Sequence, residues 1–248
     1  MKFIKKYQSP NFDKRKAGSS IEFIIIHYTA MKDDIAAVQH LCKKKSKVSC
    51  HFLINKIGKI YYLVDENKRS WHAGKSYWKK PRDLNSQSIG IEIDNSGHHI
   101  LFENYNKNQI GSLINLLNYL VKKYKINPIK ILGHSDIAPY RKIDPGPKFP
   151  WKRISKKKLT FFPKKLLKKR EKELERFFFK KFSKNQKKKV LFILKGIGYD
   201  VNLAIKNDIK YRILVKAYQM HYRQKKISGK IDKETYAILL SHYNEILT

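Results

Sequence analysis

Residues 21–30 read IEFIIIHYTA, an unbroken apolar run that includes a histidine, His27, near its end. The run shows no alternation of apolar and polar residues, so both of its faces must be covered, as in the central strand of a sheet. A strand that finishes on histidine delivers that side chain to the sheet's edge. A second run, IKILGH (129–134), has the same form and ends in His134. Between them, DDIAAVQHL (33–41) reads as a helix with acidic residues at its start. CHFLIN and KIYYLV flank a turn containing Gly58 and predict a hairpin. SIGIEID (88–94) alternates, with Ile89, Ile91 and Ile93 on one face and Gly90, Glu92 and Asp94 on the other. Ile110, Leu113, Ile114, Leu117, Val121 and Tyr124 form the stripe of a long helix. Strands alternating with helices predict an α/β fold: a mixed central sheet flanked by helices.

Composition shifts after Trp151. Of residues 152–189, 18 of 38 are Lys or Arg, which predicts a solvated, loosely ordered connector with one short helix near 164–176. A new pattern begins at Val190. Val190, Ile193, Leu194 and Ile197 form one helical stripe, ended by Gly198. Leu214, Ala217, Tyr218 and His221 form a second; Tyr236, Leu239, Leu240, Tyr243 and Leu247 form a third, with Asp232 as its N-cap. The expected organisation is a domain over 1–176 with its core at about 20–152, a linker at 177–189, and a small all-α three-helix domain at 190–248.

The formal net charge is +35, carried by 46 Lys but only 9 Arg. Nucleic-acid readers favour Arg, which forks onto guanine and phosphate, so this balance predicts only diffuse attraction to polyanions. No run of about 18 apolar residues exists, so no helix is expected to span a membrane. The N-terminal residues have no apolar signal core, so no export signal is expected in the chain as given. Cys42 and Cys50 are expected as free thiols, with a single bridge as the alternative.

The chemistry concentrates in GHSDIAPYRKIDPGP (133–147), which gathers His134, Lys142 and Asp144 among Pro139, Pro145, Gly146 and Pro147. A catalytic zinc site uses three protein ligands and leaves the fourth position to water. His27, His134 and Asp144 satisfy that count. The spacing is not that of HExxH, where one helix face supplies two ligands. By spacing alone, a pair of structural histidines is the alternative.

HYTA, VSCHFLI, WHAG, LNSQSIGIEIDN and GHSDIAPYRKIDPGPKFPW occur here in one order. Together they resemble the zinc-dependent N-acetylmuramoyl-L-alanine amidases of the amidase-2 family, relatives of phage lysozyme-like amidases and peptidoglycan recognition proteins. The nearest likeness is to the AmiD type, and it covers roughly 20–152. The stretch GYD…YRILVKAYQMHYRQKKISGKIDKETYAIL resembles the helical peptidoglycan-binding module of the same type. The resemblance implies one Zn²⁺ per chain held by His27, His134 and Asp144, with Glu92 as catalytic acid/base and Lys142 as catalytic lysine. The residue chemistry agrees: a carboxylate beside the metal moves protons, and an ammonium steadies a developing oxyanion. Trp71, His72, His51 and Asn95 are the implied substrate-binding residues, with core packing as the alternative for Trp71 and a structural role for His51. Cys50 stands where relatives commonly have a small residue such as Ser.

The expected reaction is hydrolysis of the amide between (anhydro-)N-acetylmuramic acid and L-alanine of the stem peptide, in peptidoglycan degradation or recycling. A non-catalytic peptidoglycan recognition module and a basic nucleic-acid-associated protein are the alternatives. A monomer is expected, and the resemblance further implies that it meets peptidoglycan or anhydromuropeptides in the bacterial envelope or periplasm, with the cytoplasm as the alternative.

Overall fold

A computed structural model describes residues 1–164 and 184–247. Nearly all of the expected helix near 164–176, and residues 177–183 of the expected linker, lie outside the described residues. The chain divides into two compact units. One comprises Met1–Ser76, Asp83–His134 and Lys148–Phe161. The other comprises Tyr77–Arg82, Ser135–Pro147 and Phe162–Thr248.

The strands are β1 (Phe3–Ile4), β2 (Phe12–Lys14), β3 (Phe23–Tyr28), β4 (Phe52–Ile54), β5 (Ile60–Tyr62), β6 (Lys68–Ser70), β7 (Ser76–Trp78), β8 (Lys80–Arg82), β9 (Ser88–Ile93) and β10 (Ile131–Gly133). Six of them form the main sheet in the order β1-β5-β4-β9-β3-β10. Its pairings are parallel except for the β4–β5 hairpin, so the sheet is mixed, as expected. All six residues of β3 are buried, because strands flank it on both sides and both of its faces are covered.

In the first unit the helices are α1 (Asp34–Cys42), α2 (Leu84–Gln87), α3 (Lys107–Tyr124), α4 (His134–Ile137), which begins there, and α5 (Trp151–Ser155). Successive residues of β4 point to opposite faces. Leu53 packs with Ala37, Val38 and Leu41 of α1. Phe52 packs against the tilted ring of Phe3, which in turn meets Tyr119 of α3. The sheet is thus sandwiched. Asp33 caps α1 by accepting from the Ala36 N–H, and Asn106 and Gln109 form a capping box on α3. The buried stripe of α3 is Ile110, Leu113, Leu116, Leu117 and Leu120, rotated from the expected one. Ile114, Val121 and Tyr124 sit at its margin, half-buried, and the Tyr124 hydroxyl donates to Glu66 there.

The basic stretch after Trp151 is more ordered at its start than its charge suggested. Trp151, Ile154 and Leu159 are buried, and Trp151 packs on Phe149. Three apolar side chains are enough to fold a lysine-rich turn back onto the core.

In the second unit the helices are α6 (Lys184–Ile197), α7 (Asn202–Lys206), α8 (Asp208–Tyr222) and α9 (Lys233–Leu247). The first two expected stripes are buried; the third is buried through Leu240 but not at its end, where Tyr243 is half-buried and Leu247 is 66% exposed, and there is one short helix more. The first helix begins at Lys184 rather than Val190, because lysine is a good helix former and carries it outward. Gly198 follows it with φ +141°, and Asp232 caps α9 by accepting from the Thr235 N–H. Among the described residues no helix is long and apolar enough to cross a membrane. Both cysteines are free.

Asp94, at the end of β9, is 3% exposed, and burial pushes its carboxyl up to about 6. The folded state therefore keeps this proton to a higher pH than the unfolded chain does. Stability is lost as pH rises from about 4 to about 6. Asp94→Asn, which needs no ionisation, is expected to raise the unfolding free energy at pH 7.5 by on the order of 2 kcal/mol and to change little at pH 4. Urea unfolding at the two pH values checks this.

Candidate active site

His27 lies near the end of β3 and His134 follows β10 directly. The two strands are parallel neighbours, with Gly133 opposite Ile26, so the register brings His134 level with His27. Their Nδ1 atoms are 2.9 Å apart and the rings stand nearly perpendicular, at 78°. Both are buried, at 1% and 3% exposure.

The third member, Asp144, comes from the turn-rich segment after His134. That segment is tied to itself: the Ser135 N–H donates to the Asp144 carbonyl at 2.9 Å, and the N–H groups of Arg141 and Lys142 both donate to Ala138 O. It is also tied to the C-terminal helices. The fully buried Asp136 accepts from the Tyr199 hydroxyl at 2.5 Å and from His221 Nδ1 at 2.7 Å. The Tyr140 hydroxyl donates to Asp200 O, and Gln224 donates to Pro147 O. His27, His134 and Asp144, all buried, bring one potential ligand atom each within 4.8 Å of one another.

The donor chemistry suits a metal ion. His134 Nε2 lies 3.2 Å from the Ala73 carbonyl, which only accepts, so Nε2 carries the proton and Nδ1 turns its lone pair toward His27. Two imidazoles and a carboxylate form a donor set that fits zinc with a position left for water.

Glu92 is half-buried on β9, paired with His27 of β3 on one side and Leu53 of β4 on the other. Lys142 is half-buried, two residues before Asp144. Cys50 is wholly buried, and burial, aided by the charge of Glu92, pushes its thiol well above the ordinary range. It stays protonated and is a poor metal ligand.

The four expected substrate residues are placed differently from one another. Trp71 is half-buried, its indole N–H donating to Asp13 at 2.7 Å. His72 is 8% exposed, with its ring Nδ1 3.0 Å from His27 Nε2. His51 is fully buried. Its Nδ1 accepts from the Gly90 N–H, and burial, helped by the Arg15 guanidinium, pulls it down to about 3. Asn95 is 1% exposed and spans the 95–103 loop, donating to Glu103 O and accepting from the Gly97 N–H. His51, His72 and Asn95 are interior residues whose polar atoms serve the protein's own framework. Motif strings do not distinguish such residues from those that face a cleft.

Sequence reasoning missed Arg15, Asn85, Ser88 and Asp136. Arg15 donates to the carbonyls of Glu66, Asn85, Ser86 and Ser88, and burial lowers its guanidinium to about 10. A signal was present, for arginine is rare in this lysine-rich chain and only its fork supplies five donors. Asn85, Ser88 and Asp136 lie inside the quoted motifs without any mark of their roles.

Residues 17–147 match the Amidase_2 family, N-acetylmuramoyl-L-alanine amidase. The chain belongs to this family. It is 33% identical to the N-acetylmuramoyl-L-alanine amidase AmiD of Escherichia coli K12, over 91% of this chain and 84% of that protein. The solved structure of E. coli AmiD with the substrate anhydro-N-acetylmuramic acid-L-Ala-D-γ-Glu-L-Lys superposes with a TM-score of 0.78 at 29% identity, covering 94% and 93% of the two chains. AmpDh3 of Pseudomonas aeruginosa, solved in complex with an anhydromuramic pentapeptide, gives 0.81 at 31% identity over 97% and 96%. These likenesses extend through the C-terminal helices as well as the sheet.

In this amidase, Gly90 sits beneath the His72 ring. A Cβ added at Gly90 would lie 2.5 Å from His72 Cγ, closer than real contacts allow. Gly90→Ala is expected to destabilise the fold by about 1–3 kcal/mol, as overpacking does. Chemical unfolding of the variant beside the parent measures the cost.

Proposed function

We propose that this amidase is zinc-dependent and hydrolyses the amide between (anhydro-)N-acetylmuramic acid and the L-alanine of a peptidoglycan stem peptide. The observation that carries the reading is the buried convergence of His27, His134 and Asp144 in a chain that aligns almost end to end with AmiD. These three residues would hold the ion. An ion held there would lower the pKa of a bound water toward about 7 and polarise a carbonyl.

The chain's own residues supply the rest. Glu92 accepts a proton from the attacking water and returns it to the departing amine. Its place on β9, paired with His27, supports that role. Lys142 opposes the negative charge that builds on the amide oxygen. It shares a short, internally bonded segment with Asp144, so binding the ion and placing the ammonium are one structural event.

The helical residues 190–248 help to hold peptidoglycan or muropeptide, in keeping with their resemblance to peptidoglycan-binding modules. By the same resemblance the protein acts in the bacterial envelope.

Hydrolysis of anhydromuramyl-tripeptide, followed as release of free peptide, tests the reading. Activity is expected to vanish on chelation and return with zinc. Glu92→Gln is expected to lower kcat by about 10²–10⁴-fold while zinc stays bound. Lys142→Ala is expected to lower it by about 10²–10³-fold. A Glu92→Gln enzyme with the parent kcat would remove Glu92 from the mechanism.

A further inference from the structure

The two histidine ligands are held from behind by one short stretch, the WHAG of residues 71–74. The direction of each hydrogen bond there follows from which groups can donate. The Leu84 main-chain carbonyl can only accept, and the Ser88 hydroxyl donates to it. That uses the single hydroxyl proton. Ser88 Oγ also lies 3.1 Å from His72 Nε2, so in that contact Ser88 accepts and Nε2 carries the hydrogen. A neutral imidazole then offers its other nitrogen as a lone pair. His72 Nδ1 is 3.0 Å from His27 Nε2, so His27 is the donor.

His27 therefore keeps its proton on Nε2, and its Nδ1 presents a lone pair. His134 reaches the same state by a shorter route, through the Ala73 carbonyl. Two unprotonated nitrogens consequently face each other 2.9 Å apart. Their lone pairs repel unless a positive charge lies between them, and a metal ion supplies one.

The stretch is fixed in turn. Asn85 Oδ1 accepts from the N–H groups of both His72 and Ala73, at 3.1 and 2.7 Å. The absence of a side chain at Gly90 leaves room for the His72 ring. Neighbouring residues thus set the two ligands, His72 with its side chain and Ala73 with its main chain.

We infer that His72 and Ser88 are positioning residues that lock His27 in the tautomer a metal requires, and that the WHAG stretch orients both histidine ligands rather than contacting substrate through His72. The inference rests on reading His27, His134 and Asp144 as the zinc site.

Competition of the full-length protein with a chromophoric zinc chelator tests it, alongside imidazole ¹⁵N spectra of the zinc-free protein. His72→Phe keeps the ring's bulk without its nitrogens and should weaken zinc binding by about 10–100-fold. Ser88→Ala should weaken it by a smaller factor. His72→Asn places an acceptor oxygen near the position of Nδ1 and should recover most of the loss. The spectra should show His27 protonated at Nε2 in the parent and in His72→Asn, and a tautomer mixture in His72→Phe. A folded His72→Phe that binds zinc as the parent does, with His27 unchanged, would overturn the inference. Should His72→Phe not fold, parent-like zinc affinity in Ser88→Ala together with an unaltered His27 would overturn it equally. A parent that binds no zinc but shows the expected His27 tautomer would instead defeat the zinc reading and leave the tautomer lock standing.

Discussion

The parallel pairing of β3 with its two neighbours is the constraint on which the site depends. A parallel ladder fixes which residues stand level, and a slip of one residue would turn every side chain to the other face. The register puts His27 opposite Glu92 on β9 and brings His134, just past β10, up beside it. The all-buried β3 makes that register costly to disturb, since Ile24, Ile25 and Ile26 are all 0% exposed. A hydrophobic strand of no chemical interest therefore determines the position of the chemistry at its end.

The remaining parts come from a segment that the sheet does not organise. Residues 135–147 carry Lys142 and Asp144, and they pack within the unit formed by the C-terminal helices. Asp136 is the fastening point, with Tyr199 and His221 both bonded to its buried carboxylate. A buried carboxylate is tolerable only when such donors meet it. The helices at 184–247 thus have a structural task in shaping the segment, whatever they bind. That offers a physical reason for a likeness to AmiD that runs through both parts of the chain.

Much of this was legible in the residues. The apolar run ending near His27, the clean alternation of 88–94 and the turn-rich 133–147 segment indicated the sheet and the cluster of His27, His134 and Asp144, because burial and periodicity are local properties. The stripe of α3 was displaced because several apolar residues compete for one face, and only packing selects among them. The ordered turn after Trp151 was hidden by the lysines around it. His51 and His72 carry the chemistry of binding residues, yet they bond Gly90 and His27, 39 and 45 residues away. Burial of a polar side chain depends on those distant partners and leaves no mark at its own position.

In the proposed zinc site, two imidazoles and one carboxylate hold the ion. Zinc-edge X-ray absorption of the metal-loaded protein measures that ligand set directly. Nitrogen and oxygen neighbours at about 2.0–2.1 Å, two of them imidazoles, and no sulfur are expected. A scatterer at about 2.3 Å would instead place a cysteine thiolate on the metal and contradict the assignment of His27, His134 and Asp144 as its protein ligands.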